Sequence, residues 1–147
     1  IPGCQKTVAG HRGMIFVPPW LEFCKLHCLT FRKPMVSKIS SGVKVSVETF
    51  FQPEYSNPVN SEFMFAYKIT IENNNSFPVR LLHRHWYIFD SNGTLREVEG
   101  DGVVGVQPLI SPGASYQYIS GCNLRTEMGK MHGTYQMEIS IPKNFLM

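Results

Sequence analysis

From Val43 onward apolar side chains recur at every second position. Val43, Val45, Val47, Thr49 and Phe51 fall on one face of an extended segment, with Lys44, Ser46 and Glu48 on the other, the period of a half-buried strand. Pro53, Asn57-Pro58 and Asn60 break that run. Phe63, Phe65, Tyr67, Ile69 and Ile71 then alternate with Met64, Ala66, Lys68, Thr70 and Glu72, predicting a second, longer strand. After a turn over Asn73–Ser76 and Pro78, the run Val79–Asp90 predicts a third strand, apolar on both faces near Trp86–Phe89. Asn92-Gly93 predicts a type I′ hairpin, because both residue types tolerate a positive φ, and returns the chain into Thr94–Glu99. A Gly-rich loop, Gly100–Gly105, leads to Val106–Ile110. Ser111-Pro112-Gly113 turns into Ser115–Ser120, and a last strand runs from near Met131 through Tyr135 and Met137. Short strands separated by turn signals, with no helical period after residue 40, predict an all-β antiparallel β-sandwich. Val45, Val47, Phe65, Tyr67, Ile69, Trp86 and Ile88 are its expected core.

The head has no such period. Residues 1–40 are expected to be an N-terminal extension, poorly ordered or holding a short helix over Trp20–Thr30 that Pro18-Pro19 would start, with residues 41–147 as the sandwich domain. Met35-Val36-Ser37-Lys38 reads as a natural translation start, so residues 1–34 are expected to be dispensable for folding. Charge divides at the same place. Residues 1–38 carry six Lys or Arg (Lys6, Arg12, Lys25, Arg32, Lys33, Lys38) against Glu22, which leaves eight basic and ten acidic side chains for the rest. The domain therefore lacks the basic footprint of a nucleic-acid binder. Three of the cysteines, Cys4, Cys24 and Cys28, cluster in the head and Cys122 stands apart, which is no disulfide framework and fits a cytoplasmic location. The apolar stretch Met14–Val17 is cut by Pro18 and Pro19, so no membrane span or signal-peptide core is expected. The acid-poor head is not Ser-rich, as an organelle transit peptide would be.

Several segments resemble the ApaG family. They are Val45–Thr49, Phe65–Asn73, Arg84-His85-Trp86, Asp90–Gly93, Glu97–Pro108, Ser111-Pro112-Gly113 and Gly133–Met137, in order and with family-like spacing over residues 43–137. The resemblance implies a fibronectin type III-like or immunoglobulin-like sandwich. It also implies an association with cobalt and magnesium efflux, and a role as an interaction module like the related domains of eukaryotic F-box and polymerase-interacting proteins. Two departures stand out. Relatives carry a further loop and closing strand after the Tyr-x-Met strand, whereas here Glu138-Ile139-Ser140-Ile141-Pro142 follows Met137 at once. A hairpin of roughly ten residues is missing, and an open sheet edge is expected. The head is the second departure.

Candidate chemistry is sparse. Gly100-Asp101-Gly102-Val103-Val104-Gly105 is a literal Gly-x-Gly-x-x-Gly, but that fingerprint works between a strand and a helix N-terminus, and Pro108 follows instead. A structural Gly loop is expected; its amides could still form a small anion nest, and one of the adjacent Val103-Val104 pair is expected to point outward as a contact. His83 and His85 share a strand face, as metal ligands would, and His132, Glu97 or Asp101 could supply a third ligand, but nothing in the sequence forces their approach; a strand face with polar partners is expected, with a metal site as the alternative. Glu97, Glu99 and Asp101 read as solvated acids at a strand end. Cys24-x-x-His27-Cys28, with Cys4 and His11 upstream, has half the spacing of a zinc site and no second half. No nucleophile elbow, zinc-protease motif or recognisable acid pair is present.

These signals predict a non-enzymatic binding or interaction domain tied by resemblance to divalent-cation homeostasis. Its candidate sites are the loop Gly100–Gly105 and a binding face of Arg84, His85 and Trp86. The alternatives are a nucleotide- or polyphosphate-sensing module using that loop, and a phosphate-ester hydrolase using His83, His85 and a metal. No cofactor is expected beyond a divalent cation or a phosphate anion. The expected partner is a protein or a second copy of the chain, with a phosphate-containing small molecule as the other ligand class, and neither nucleic acid nor membrane.

Overall fold

A computed structural model describes residues 12–16, 21–24 and 35–140. The period-two segments are strands. The second sheet joins β3 (Met35–Ser40), β4 (Val43–Phe51), β5 (Phe63–Asn73) and β9 (Ser115–Leu124) in that spatial order, all antiparallel. The first sheet is built on β6 (Val79–Asp90), flanked by β7 (Leu95–Asp101) and β10 (Met128–Ile139), with the two-residue β8 (Leu109–Ile110) also pairing β6. Single 3-10 turns at Pro53–Tyr55 and Pro58–Asn60 fill the segment between β4 and β5. No helix of the described residues is long and apolar enough to cross a membrane.

The inner faces of the two sheets make the core. All seven expected core residues are buried in it, because alternation along each strand sends every second side chain inward. Asn73, whose side-chain amide is fully buried, staples the sandwich end: its Nδ2 donates to the carbonyls of Phe77 (2.8 Å) and Ile110 (3.0 Å), and its Oδ1 accepts from the Asn75 amide. Buried Asp90 accepts the Arg125 amide (2.6 Å) and the Thr126 hydroxyl, which ties the β9–β10 turn to the end of β6.

Two turns differ from expectation. At Asn92-Gly93 only Gly93 has a positive φ (94°). The Gly93 amide donates to the Asp90 carbonyl and the Asp90 amide to Thr94, a type I turn closed by a left-handed glycine rather than type I′. Asn92 spends its Oδ1 on the Thr94 amide instead. The type I′ geometry appears at Ser41-Gly42, which joins β3 to β4 with φ of 51° and 75°.

The head departs most. Leu21–Cys24 is a strand, β2, and not part of a helix; Trp20 and residues 25–30 lie outside the described residues. With β1 (Arg12–Phe16) it lines the edge of β10, Arg12 opposite Glu138 through Phe16 opposite Thr134, then Leu21 opposite Met131 through Cys24 opposite Met128. The edge expected to be open is thus covered, as a long free edge with unpaired amides would invite association. Nor is the head merely appended. Phe23 is fully buried, its ring centroid 5.3 Å from that of Phe65 and 6.3 Å from that of Tyr67 on the opposite sheet. It closes one side of the sandwich, while Arg96 closes the other by donating from β7 to the Asn123 carbonyl (2.5 Å) and side chain (3.2 Å) on β9.

Candidate functional site

The outer face of the first sheet carries a cluster of histidine, carboxylate and aromatic side chains, and a β-bulge puts it there. Gln136 pairs His83 but Met137 pairs Leu81, so Leu82 is an extra residue in β6. The bulge changes the phase of the strand. Val79 and Leu81 point inward before it, and Trp86 and Ile88 after it, which leaves His83, His85, Tyr87 and Phe89 on the outer face.

Register then sets their partners. His83 stands opposite Asp101, His85 opposite Glu99 and Tyr87 opposite Glu97. His83 Nδ1 lies 3.2 Å from Asp101 and its Nε2 3.7 Å from Glu99; His85 Nδ1 lies 3.5 Å from the same Glu99 oxygen and its Nε2 3.2 Å from Glu97. Glu99 thereby bridges both imidazoles. The acids expected to be merely solvated are exposed, yet each faces a histidine. His85 stacks on Tyr87 (4.5 Å) and Tyr87 on His132 of β10 (5.1 Å), so three rings run across two strands. Solvent-accessible histidine–carboxylate contacts of this kind add at most about 0–1 kcal/mol to stability. Among the described residues no group of three or more His, Cys, Asp or Glu side chains is placed to hold a metal ion, so His83 and His85 are brought together with carboxylates but not into a metal centre. Cys4, His11, His27 and Cys28 lie outside the described residues.

Arg84, His85 and Trp86 do not form one binding face. Alternation puts His85 outside and its neighbours inside: Trp86 is 2% exposed, edge-on to Tyr67 and Tyr135. Arg84 donates from Nη1 to the carbonyls of Gly102 (2.8 Å) and Asp101 (3.2 Å), its guanidinium covering Gly100. Arg84 alone of the three clamps the loop.

That loop is a tight hairpin. The Gly102 amide and Gln107 Nε2 both donate to Leu82, the carbonyl the bulge turns outward, at 2.8 and 2.9 Å. Val103 and Val106 exchange both backbone hydrogen bonds around Val104 and Gly105, whose φ values of 48° and 75° make a type I′ turn. Two amides of the motif, those of Gly102 and Val103, are spent on protein carbonyls, as is the Val106 amide just beyond it. Of the valine pair, Val103 is fully buried and Val104 is 63% exposed, so one points outward as expected. Val104 is a β-branched residue at positive φ, where Asn or Asp is favoured. We therefore expect Val104→Asn to raise stability by about 1 kcal/mol, the scale of a left-handed penalty, read as a higher Tm. In Gly102→Ala the new Cβ would fall inside contact distance of the Val106 carbonyl oxygen at φ 61°, and the expected result is a loss of more than about 1 kcal/mol; an unchanged Tm would contradict this geometry.

Among the described residues, the groups with displaced titration lie in the core. Burial raises the hydroxyls of Tyr135, Tyr118 and Tyr67, the first two hydrogen-bonded to each other. Burial also pushes the Cys122 thiol up to about 11 against the opposing pull of Arg96. A thiol so placed is held protonated and unreactive at neutral pH. His83 and His85 lie on a strand face with polar partners; sequence reasoning placed Glu97 and Asp101 among the candidates to approach them but missed Glu99 between the two imidazoles, and the phase change between Leu81 and Trp86 is the signal that locates the bulge.

Comparison with known proteins agrees with the architecture. The ApaG domain model matches residues 53–139. Protein ApaG from Brucella suis biovar 1 (strain 1330) is 48% identical over 104 residues, 71% of this chain and 80% of that protein. Protein ApaG from Pseudomonas aeruginosa (strain LESB58) is 53% identical over 102 residues, 69% and 81% of the two chains. The crystal structure of an ApaA protein from Bordetella pertussis superposes with a TM-score of 0.63 at 42% identity, covering 71% of this chain and 80% of that one. With its sandwich and its matched segments, this chain belongs to the ApaG domain family.

Proposed function

We propose that this ApaG domain is a non-enzymatic binding module that receives a protein partner on the outer face of its first sheet, in the setting of divalent-cation homeostasis. The observation that carries the reading is the ladder of His83 and His85 against Glu97, Glu99 and Asp101, with Tyr87 and His132 stacked beside it. Such pairs add little to the fold, and ordered polar and aromatic groups on a rigid strand face suit recognition. The link to cobalt and magnesium efflux rests on the family resemblance. Support for the non-enzymatic reading comes from the displaced groups, which are core tyrosines and a core thiol rather than acids, bases or nucleophiles poised in a cleft. The nucleotide-sensing alternative loses support because the amides of Gly102, Val103 and Val106 already have carbonyl partners.

The test is a charge reversal on the face. In Glu97→Lys/Glu99→Lys the two carboxylates become cations beside the histidines, with little expected change in Tm because both side chains are exposed. A partner recovered with the tagged wild-type chain from cells should be lost from this variant and kept by Val104→Asn. Retention of that partner by the charge-reversed chain would move the contact elsewhere.

A further inference from the structure

We propose that the edge of β10 is a strand-acceptor site with an exchangeable occupant, and that a second copy of this chain can place its own β1–β2 there in reciprocal exchange. The register shows how the head sits. β1 and β2 run along β10 as one interrupted antiparallel strand: Phe16 pairs Thr134 and Leu21 pairs Met131, so four head residues span a gap of two on β10. The four are Val17-Pro18-Pro19-Trp20, and neither proline has an amide to give to a ladder. The head is therefore held in two short pieces, five and four residues long. Among the described residues its anchor in the core is Phe23, which stands opposite Gly129 and meets Phe65 and Tyr67.

Three observations favour a second copy as the exchange partner. The acceptor is long: β10 pairs the head from Met128 to Glu138, and with the head away those residues would present a free edge of the kind that captures strands. The tether is long enough for exchange, since ten residues separate Cys24 from Met35 and a chain of that length can span up to about 33–36 Å. The contacts are also identical in both arrangements, because a head from another copy would meet the same β10 register and the same Phe23 slot. Exchange of an identical element is a low-cost route to a dimer. The head lies outside the residues that the ApaG domain model matches.

The experiment mixes full-length tagged and untagged chains at high concentration, warms them to just below the unfolding transition, cools them and recovers the tagged chain. Untagged chain should co-elute, in a species of twice the 16.7 kDa monomer mass. A fluorescent peptide of residues 10–26, added in excess, should enter the monomer and suppress that dimer. The same peptide carrying Phe23→Asp should incorporate on the order of a hundredfold less, as loss of a fully buried Phe side chain implies. A chain that takes up neither untagged partner nor peptide under these conditions overturns the proposal, as does uptake that Phe23→Asp leaves unchanged.

Discussion

Replacing Gly133 with alanine is expected to cost at least about 3 kcal/mol and to lower the cooperative unfolding transition more than any surface change. Gly133 stands opposite Trp86 where β10 pairs β6. A Cβ there would fall inside contact distance of the His85 carbonyl oxygen and 3.0 Å from Trp86 Cε3. The first obstacle is backbone in a central strand, so it cannot rotate away, and overpacking of this kind typically costs 1–3 kcal/mol or more. Either the ladder opens or the indole moves. Urea denaturation monitored by tryptophan fluorescence reads both outcomes, because a displaced Trp86 also changes its emission in the folded state. A Gly133→Ala chain with wild-type midpoint and emission would mean that β10 and β6 are not packed in this register.

Removing the indole itself should be comparably severe. Trp86→Ala takes out a large side chain that is 2% exposed and edge-on to Tyr67 and Tyr135, and truncations of this kind cost about 3–5 kcal/mol. For a chain of this size that corresponds to a fall in Tm of roughly 10–20 °C. The conservative variant separates packing from polarity. The indole N–H is buried with no hydrogen-bond partner among the described residues, so Trp86→Phe loses volume but also removes a group whose desolvation is uncompensated. Its expected cost is about 1–2 kcal/mol. Equal losses for the two variants in calorimetry would show that the position needs an indole rather than a filled volume.

The fold was legible because burial alternates with residue parity. Val43 to Phe51 and Phe63 to Ile71 read as strands without any partner being known, since a half-buried strand writes its two faces into its own sequence. Register and strand order are not written locally, and the sequence misled wherever pairing decided the outcome. Leu21–Cys24 carries apolar residues at a spacing compatible with a helical turn, but the edge of β10 supplies partners that a helix would not use. The open edge expected beside the last strand is covered by the head, through pairings between residues more than a hundred positions apart. The Arg84-His85-Trp86 run does not form the single surface expected of it, because strand alternation sends its middle residue one way and its flanks the other. The acids Glu97, Glu99 and Asp101 have no local sign of their histidines; only the cross-strand register brings them together.

The most direct test of the proposed working face is whether the cell needs it. In a strain lacking its own ApaG gene, growth on graded cobalt would be compared for cells expressing the wild-type chain, Val104→Asn or Glu97→Lys/Glu99→Lys, each at matched abundance and with its Tm measured on the purified protein. The expected result is that the wild-type chain and Val104→Asn restore tolerance while the charge-reversed chain, folded as stably as the wild type, does not. Restoration by the charge-reversed chain at the wild-type level would contradict the assignment of function to the histidine–carboxylate face.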